Sequence, residues 1–193
     1  IAWFLLMGSI TTLESHPHMW IDLKTHVVLD KRGNAAAIYQ EWLFDDFFSA
    51  TIIEDASYHS EGIAVGIKSE INKILENLEQ SDYLTLVSVN KQIMQTGKAF
   101  GSEVQIQNSR VLMSFTLPIK IHVNMKVQNF SYAIFDPTYY VEMLHFENEQ
   151  VTFLGDAPEG CDTQILQPNP STEAIALSQS ADLDLRPNSS IGR

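Results

Sequence analysis

The sequence predicts an α+β fold: a mostly antiparallel sheet covered by one main amphipathic helix. Three observations predict it. Runs of alternating apolar and polar residues recur through most of the chain, a turn signal separates the first two runs, and one long stretch carries helical spacing.

The elements follow in order. Between Trp20 and Leu29, Ile21, Leu23, Val27 and Leu29 fall on one face, and Asp22, Lys24 and His26 on the other, which is the period of a half-buried strand. Lys31-Arg32-Gly33-Asn34 reads as a turn, and Ala35–Phe44 as the returning strand. Phe47–Ser60 is less regular and ends acidic and polar. Ile67, Ile71, Ile74, Leu75 and Leu78 then sit at helical spacing, with Lys68, Glu70, Lys73, Glu76 and Glu79 elsewhere on the wheel. The expected role of that helix is to cover the sheet. Further strands are expected at Tyr83–Val89, Lys91–Gln95, Glu103–Gln107 and Arg110–Leu117. Pro118, which has no backbone donor, weakens any continuation within a sheet centre. Val127–Phe135, Tyr139–Phe146 and Val151–Leu154 complete the strand-rich part, the last two as a hairpin about Glu147-Asn148-Glu149. A second short helix is expected at Thr172–Gln179, in a tail rich in Pro, Asn and Ser.

Composition narrows the function. The chain holds 12 basic and 24 acidic residues, a formal charge of −12. That balance argues against nucleic acid, whose binding requires basic surface, and suits the attraction of cations. The opening run IAWFLLMGSITTL is apolar and uncharged, but a bilayer span needs roughly 20 such residues. It matches the apolar region of a secretory signal, with Ser15 as the small residue before a cut. A buried N-terminal strand or helix is the alternative. We therefore expect a partial signal peptide at residues 1–15 and a single secreted domain at 16–193, located in the periplasm and not stably inserted in a membrane. The single cysteine, Cys161, excludes a disulfide framework or a Cys-rich zinc site within this sequence. P-loop, dinucleotide and G-x-S-x-G signatures are absent.

The sharpest chemical feature is His16-Pro17-His18-Met19-Trp20-Ile21-Asp22. Residues two apart in an extended segment point the same way, so His16, His18 and Asp22 can project to one side. Imidazole is the commonest ligand for transition metals, and a carboxylate can complete the shell. A cut after Ser15 would also give His16 a free amine that chelates with its own ring, an arrangement similar to the histidine brace of copper enzymes. The amino-terminal copper–nickel square is excluded, because Pro17 has no amide proton to lose. Two surface histidines without a ligand role are the alternative. His26, His59, His122 and His145 read as surface or hydrogen-bonded histidines. Two aspartate clusters lie among aromatics, at Trp42–Phe48 and at Phe135–Tyr140. Such carboxylates need a compensating partner, which can be a metal, backbone N–H groups or Arg110. Asp136, before a proline, also suits a turn.

HPHMWID, then EWLFDDFFS, then IFDPTYYVEM, in this order, resemble the bacterial family called domain of unknown function 1007. The likeness runs from His16 to the end of the chain. It implies secretion, an α+β fold and the periplasmic side of an uncharacterised ABC-type transport system, with a role in divalent metal traffic. Carried over by motif, the positions of interest are His16, His18, Asp22, Asp46 and Asp136. The resemblance also implies a longer C-terminal end carrying a second cysteine, a possible partner for Cys161. The expected function is thus a metal-binding accessory for zinc, nickel, cobalt or copper, serving a membrane metal transporter. We expect the two histidines to converge with at least one of the three carboxylates in a surface cleft. A copper enzyme with an N-terminal brace and a structural envelope module without metal are the alternatives.

Overall fold

Alternating side chains build the first hairpin. β1 (Met19–Leu29) buries Ile21, Leu23, Thr25 and Val27, and β2 (Ala35–Phe44) pairs with it antiparallel from Ile21↔Phe44 to Leu29↔Ala35. The computed structural model describes residues 19–138, 140–146 and 150–166. At the hairpin turn, the Asp30 carboxylate accepts the backbone N–H groups of Arg32 and Asn34 at 2.8 and 2.9 Å. Gly33 takes φ 75° there, a conformation in which a side chain would be strained.

Two helices follow, one more than the periodicity suggests. The stretch expected to be irregular forms α1 (Asp46–Ser57). Its buried face consists of Ser49, Ile52 and Ala56, two of them small, while Phe47 stands 81% exposed. Ile52, with Phe48 and Ile53 packed beside it, lies on the core side, whereas Phe47 faces outward. α2 (Ile63–Leu78) is the helix expected from spacing; it buries Ile67 and Ile71 and half-buries Ile74, Leu75 and Leu78 against the sheet. The helices touch where Gly66 lies on the Ala56 backbone. A Cβ on Gly66 would sit 2.8 Å from the Ala56 Cα, so any larger residue forces the helices apart.

The remaining strands are β3 (Thr85–Val89), β4 (Gln92–Met94), β5 (Phe100–Gln107), β6 (Arg110–Val123), β7 (Phe130–Ile134), β8 (Val141–His145) and β9 (Thr152–Leu154). The larger sheet has the order β5-β6-β2-β1-β8, with β9 also on β1; β4-β3-β7 form a separate sheet. Two expectations need correction. β6 runs through Pro118 to Val123, because the proline falls where the β2 register is irregular and where β5 has ended. Its carbonyl still accepts from the Gly97 N–H at 2.8 Å. β8 and β9 are not a hairpin: both lie parallel to β1, at Met19↔Val141 to Leu23↔His145 and at His26↔Thr152 to Val28↔Leu154. The Thr172–Gln179 helix lies outside the described residues.

One face of the larger sheet carries two cores. Near the start of β1, Ile21, Leu23, Trp42, Phe44, Val111, Met113, Phe115 and Leu117 pack against α1 and α2. Toward its other end, Val27, Ala35, Ile119 and Val123 pack with Val89, Met94, Phe130 and Tyr132 of the small sheet. Buried polar contacts join the two sheets. Trp42 Nε1 donates to Gln40 Oε1 at 3.0 Å, Gln40 Nε2 to Thr85 Oγ1 at 3.0 Å, and Thr85 Oγ1 to the Tyr83 carbonyl at 2.8 Å. Thr25 and Tyr132 share a second contact at 2.7 Å, and burial pushes the Tyr132 phenol above its ordinary pKa.

Ile71 is 1% exposed beneath α2. Ile71→Ala should therefore cost about 2–5 kcal/mol in denaturant unfolding, whereas Ile63→Ala, at a position 47% exposed, should change stability by less than about 0.5 kcal/mol. A pH effect is expected at the first turn. The Asn34 backbone N–H, then His122 at 2.9 Å, then Arg32, hold the Asp30 carboxyl well below the usual carboxylate range. Because the folded value lies below the unfolded one, this contribution is complete above about pH 4 and is lost as pH falls further. Asp30→Asn should accordingly be less stable than the parent at neutral pH, and the two unfolding curves should converge in acid.

Candidate functional site

The end of the sheet at which β1 begins gathers most of the aspartates of interest. β2 stops at Phe44, and Asp45 caps α1: its Oδ1 accepts the Phe48 N–H at 2.8 Å. Its Oδ2 accepts the Trp20 N–H at 2.9 Å, while its own N–H donates to the Trp20 carbonyl at 3.0 Å. One residue thereby starts the helix and fixes the first turn of chain in β1. Ser49, one turn into α1 and fully buried, donates to the Phe44 carbonyl at 3.3 Å and accepts the Val111 N–H at 2.9 Å.

Arg110, at the start of β6, closes the same junction from the other side. Its Nε donates to the Phe44 carbonyl at 2.6 Å and its Nη2 to the Leu43 carbonyl at 3.0 Å. The same Nη2 forms an ion pair with Asp22 at 2.7 Å. Both partners of that pair are only partly exposed, at 23% and 34% of their side chains, so the pair is less screened than a surface bridge.

The third segment arrives with β8. Asp136 Oδ1 accepts the Thr138 N–H at 2.9 Å, Oδ2 accepts the Val141 N–H at 3.0 Å, and the Thr138 hydroxyl lies 2.7 and 2.8 Å from the two oxygens. Val141 pairs with Met19, so this turn sits beside the first residue of β1.

Each carboxylate expected to bind metal thus has a distinct environment. Asp22 is held by Arg110, and Asp136 by a hydroxyl and two backbone N–H groups, the non-metal partners such carboxylates can take. Asp46, exposed on the first turn of α1, has no hydrogen-bond or ion-pair partner among the described residues. Asp45 is the structural member of its pair. Its position directly before a helix, with its side chain free to reach the third residue on, is the signal that identifies it. Among the described residues, no three His, Cys, Asp or Glu side chains come together as a ligand set, so Asp22, Asp46 and Asp136 do not form one by themselves. His16 and His18 lie outside the described residues. The other histidines are engaged elsewhere: His26 Nδ1 lies 2.6 Å from Thr152 Oγ1, His122 pairs with Asp30, and His59 accepts the Glu61 N–H at 3.2 Å. No helix among the described residues is long and apolar enough to cross a membrane.

The family described as "Protein of unknown function (DUF1007)" matches residues 1–192, and the chain belongs to it. A protein of Haemophilus influenzae, described as uncharacterized, is 22% identical over 174 residues, covering 87% of this chain and 81% of its own length. No solved structure matches.

The cap and its neighbour should separate in mutagenesis. Asp45→Ala removes acceptors for two backbone N–H groups and should cost about 1–2 kcal/mol in equilibrium unfolding. Asp46→Ala, at an exposed carboxylate without a described partner, should stay within about 0.5 kcal/mol of the parent. Equal losses at the two positions would contradict the division of roles.

Proposed function

We propose that this family member is a periplasmic metal-binding accessory that serves a membrane transporter of divalent transition metals. The observation that carries the reading is the meeting of three segments at one end of the sheet. The start of β1, the Asp45-Asp46 helix start and the Asp136 turn converge there. His18 directly precedes Met19, the first residue of β1, in the sequence. The acidic balance of the chain favours cations in general, and the apolar run before the H-P-H segment supports export.

The donor set fits a metal in part. Asp46 offers both carboxylate oxygens, although the positive end of the α1 dipole lowers its attraction for a cation. Asp136 accepts three protons and keeps part of its acceptor capacity. Asp22 would have to exchange Arg110 for the metal, leaving a guanidinium without its carboxylate. Imidazole from His18 and His16, with Asp46 as the first carboxylate, is therefore the set we favour. Nitrogen donors with one carboxylate suit zinc, nickel, cobalt or copper better than calcium or magnesium.

Calorimetric titration of zinc, nickel and copper into the chain and into His16→Ala/His18→Ala tests this directly. The double variant should lose at least about tenfold in affinity, and binding to the parent should weaken as pH falls below about 6.5, where imidazole protonates. Asp46→Asn should weaken binding more than Asp22→Asn. Equal affinity in the parent and the double variant would remove the metal reading. Oxidant-dependent turnover of a copper-loaded chain would favour the brace enzyme instead.

A further inference from the structure

Among the described residues, neither the helices nor the small sheet covers the second face of the larger sheet. Cross-strand partners point to the same side, so the register defines its residues. Leu144, Asp22, Leu43 and Leu112 form one row from β8 to β6; Phe146, Lys24, Glu41 and Ser114 lie in or beside the next. Trp20 stands beyond the first row, 49% exposed. A shallow groove of about 220 Å³ runs over this surface, with Leu43 and Leu112 in its floor and Phe146, Asp22, Lys24 and Glu41 at its sides. Leu144 and Phe146 are 37% and 40% exposed. Enclosed small-molecule sites occupy roughly 300–1,000 Å³, so this groove is too small and too open to hold a ligand by itself. Its scale suits single side chains of something larger.

Charge indicates what that is. Arg110 on this side is consumed by Asp22 and two carbonyls, and Lys24 is engaged as well. Glu41, Glu142 and, across from Ser114, Glu103 have no hydrogen-bond or ion-pair partner among the described residues. The face therefore combines an apolar floor with uncompensated carboxylates, on a chain of formal charge −12. A second copy carries the same repelling charge, and an anionic lipid surface would repel it likewise.

We propose that this face docks a basic, amphipathic polypeptide segment, its apolar residues on Leu43, Leu112 and Leu144 and its Lys or Arg residues beside Glu41 and Glu142. Such a partner gains apolar burial on the floor and neutralises carboxylates at the rim.

Fluorescence anisotropy with two labelled synthetic peptides, one alternating Lys and Leu and one alternating Glu and Leu, tests the proposal on the full chain. The basic peptide should bind, with affinity falling as salt rises, and the acidic one should not. Leu144→Ser and the exposed Glu142→Gln should each weaken binding about fivefold or more. Ile93→Ser, which changes a residue 72% exposed on the small sheet, should leave binding unchanged. Thermal melts report folding, and Glu142→Gln alters no packed atom, so one of the two variants remains informative if the other unfolds. The proposal is overturned if the basic peptide does not bind or if Ile93→Ser weakens it as much as Leu144→Ser. It is likewise overturned if Leu144→Ser and Glu142→Gln both bind as the parent does. Binding of phosphatidylserine vesicles that Leu144→Ser abolishes would assign the face to lipid, and a dimer in sedimentation that Leu144→Ser dissolves would assign it to a second copy; either result overturns the proposal.

Discussion

The carbonyls at the end of β2 set the constraint on which the junction depends. Where the strand gives way to α1, the Leu43 and Phe44 oxygens need donors, and a buried carbonyl without one costs stability comparable to a lost hydrogen bond. Arg110 supplies both carbonyls and Ser49 supplies Phe44 a second time. Each donor then makes a further contact: Arg110 with Asp22 of β1, Ser49 with the backbone of Val111 in β6. Satisfying two oxygens thus fixes three strands and a helix relative to one another. Asp45 adds the last restraint by accepting from both β1 and α1. Of the carboxylates singled out in the sequence, Asp22 is the one built into this joint.

A comparable economy joins the two sheets. Gln40 is fully buried in β2, and an amide in that position is tolerable only with partners at both ends. Trp42 and Thr85 provide them, and Thr85 passes the connection to the Tyr83 carbonyl. Tyr83 follows Asp82 and precedes Leu84, and all three take positive φ, at 55°, 48° and 52°. For non-glycine residues that conformation costs about 1–2 kcal/mol each. Offsetting contacts are visible. The Tyr83 ring is buried against Phe115, its hydroxyl accepts the Ala99 N–H at 3.1 Å, and the Leu84 carbonyl accepts from Phe135 at 3.0 Å. The turn is held in an unfavourable backbone state by the packing around it.

Much of this architecture is legible in the sequence where one face is apolar and the other is not. β1 and β2 follow from alternation, and α2 from its isoleucine stripe. α1 escapes because two of its three buried residues, Ser49 and Ala56, are small and carry little periodic signal, while Phe47 advertises a face that is solvent-exposed. The pairing of β8 and β9 escapes for another reason: a short polar gap between two strands reads as a hairpin, and only the parallel register on β1 distinguishes the alternatives. The two sheets cannot be separated by periodicity either, since alternation describes a strand and not its neighbour. At the sheet end, composition locates the aspartates but not their partners. The need to compensate each carboxylate is a sequence-level inference; that Arg110 takes Asp22, and backbone N–H groups take Asp45 and Asp136, is decided by the fold.

The position of β1 bears on how the chain folds. It is the first described strand, yet one of its two flanks is filled by β8 and β9, which come near the end of the described chain. The β1–β2 hairpin can assemble early and locally, whereas completion of that flank waits for a long loop to close. Until then Met19–Leu29 presents a row of unpaired amides and carbonyls beside apolar side chains, the type of edge that templates intermolecular association. Chain released slowly, or halted before β8, would carry this open edge, and a holding chaperone at that stage would act on β1.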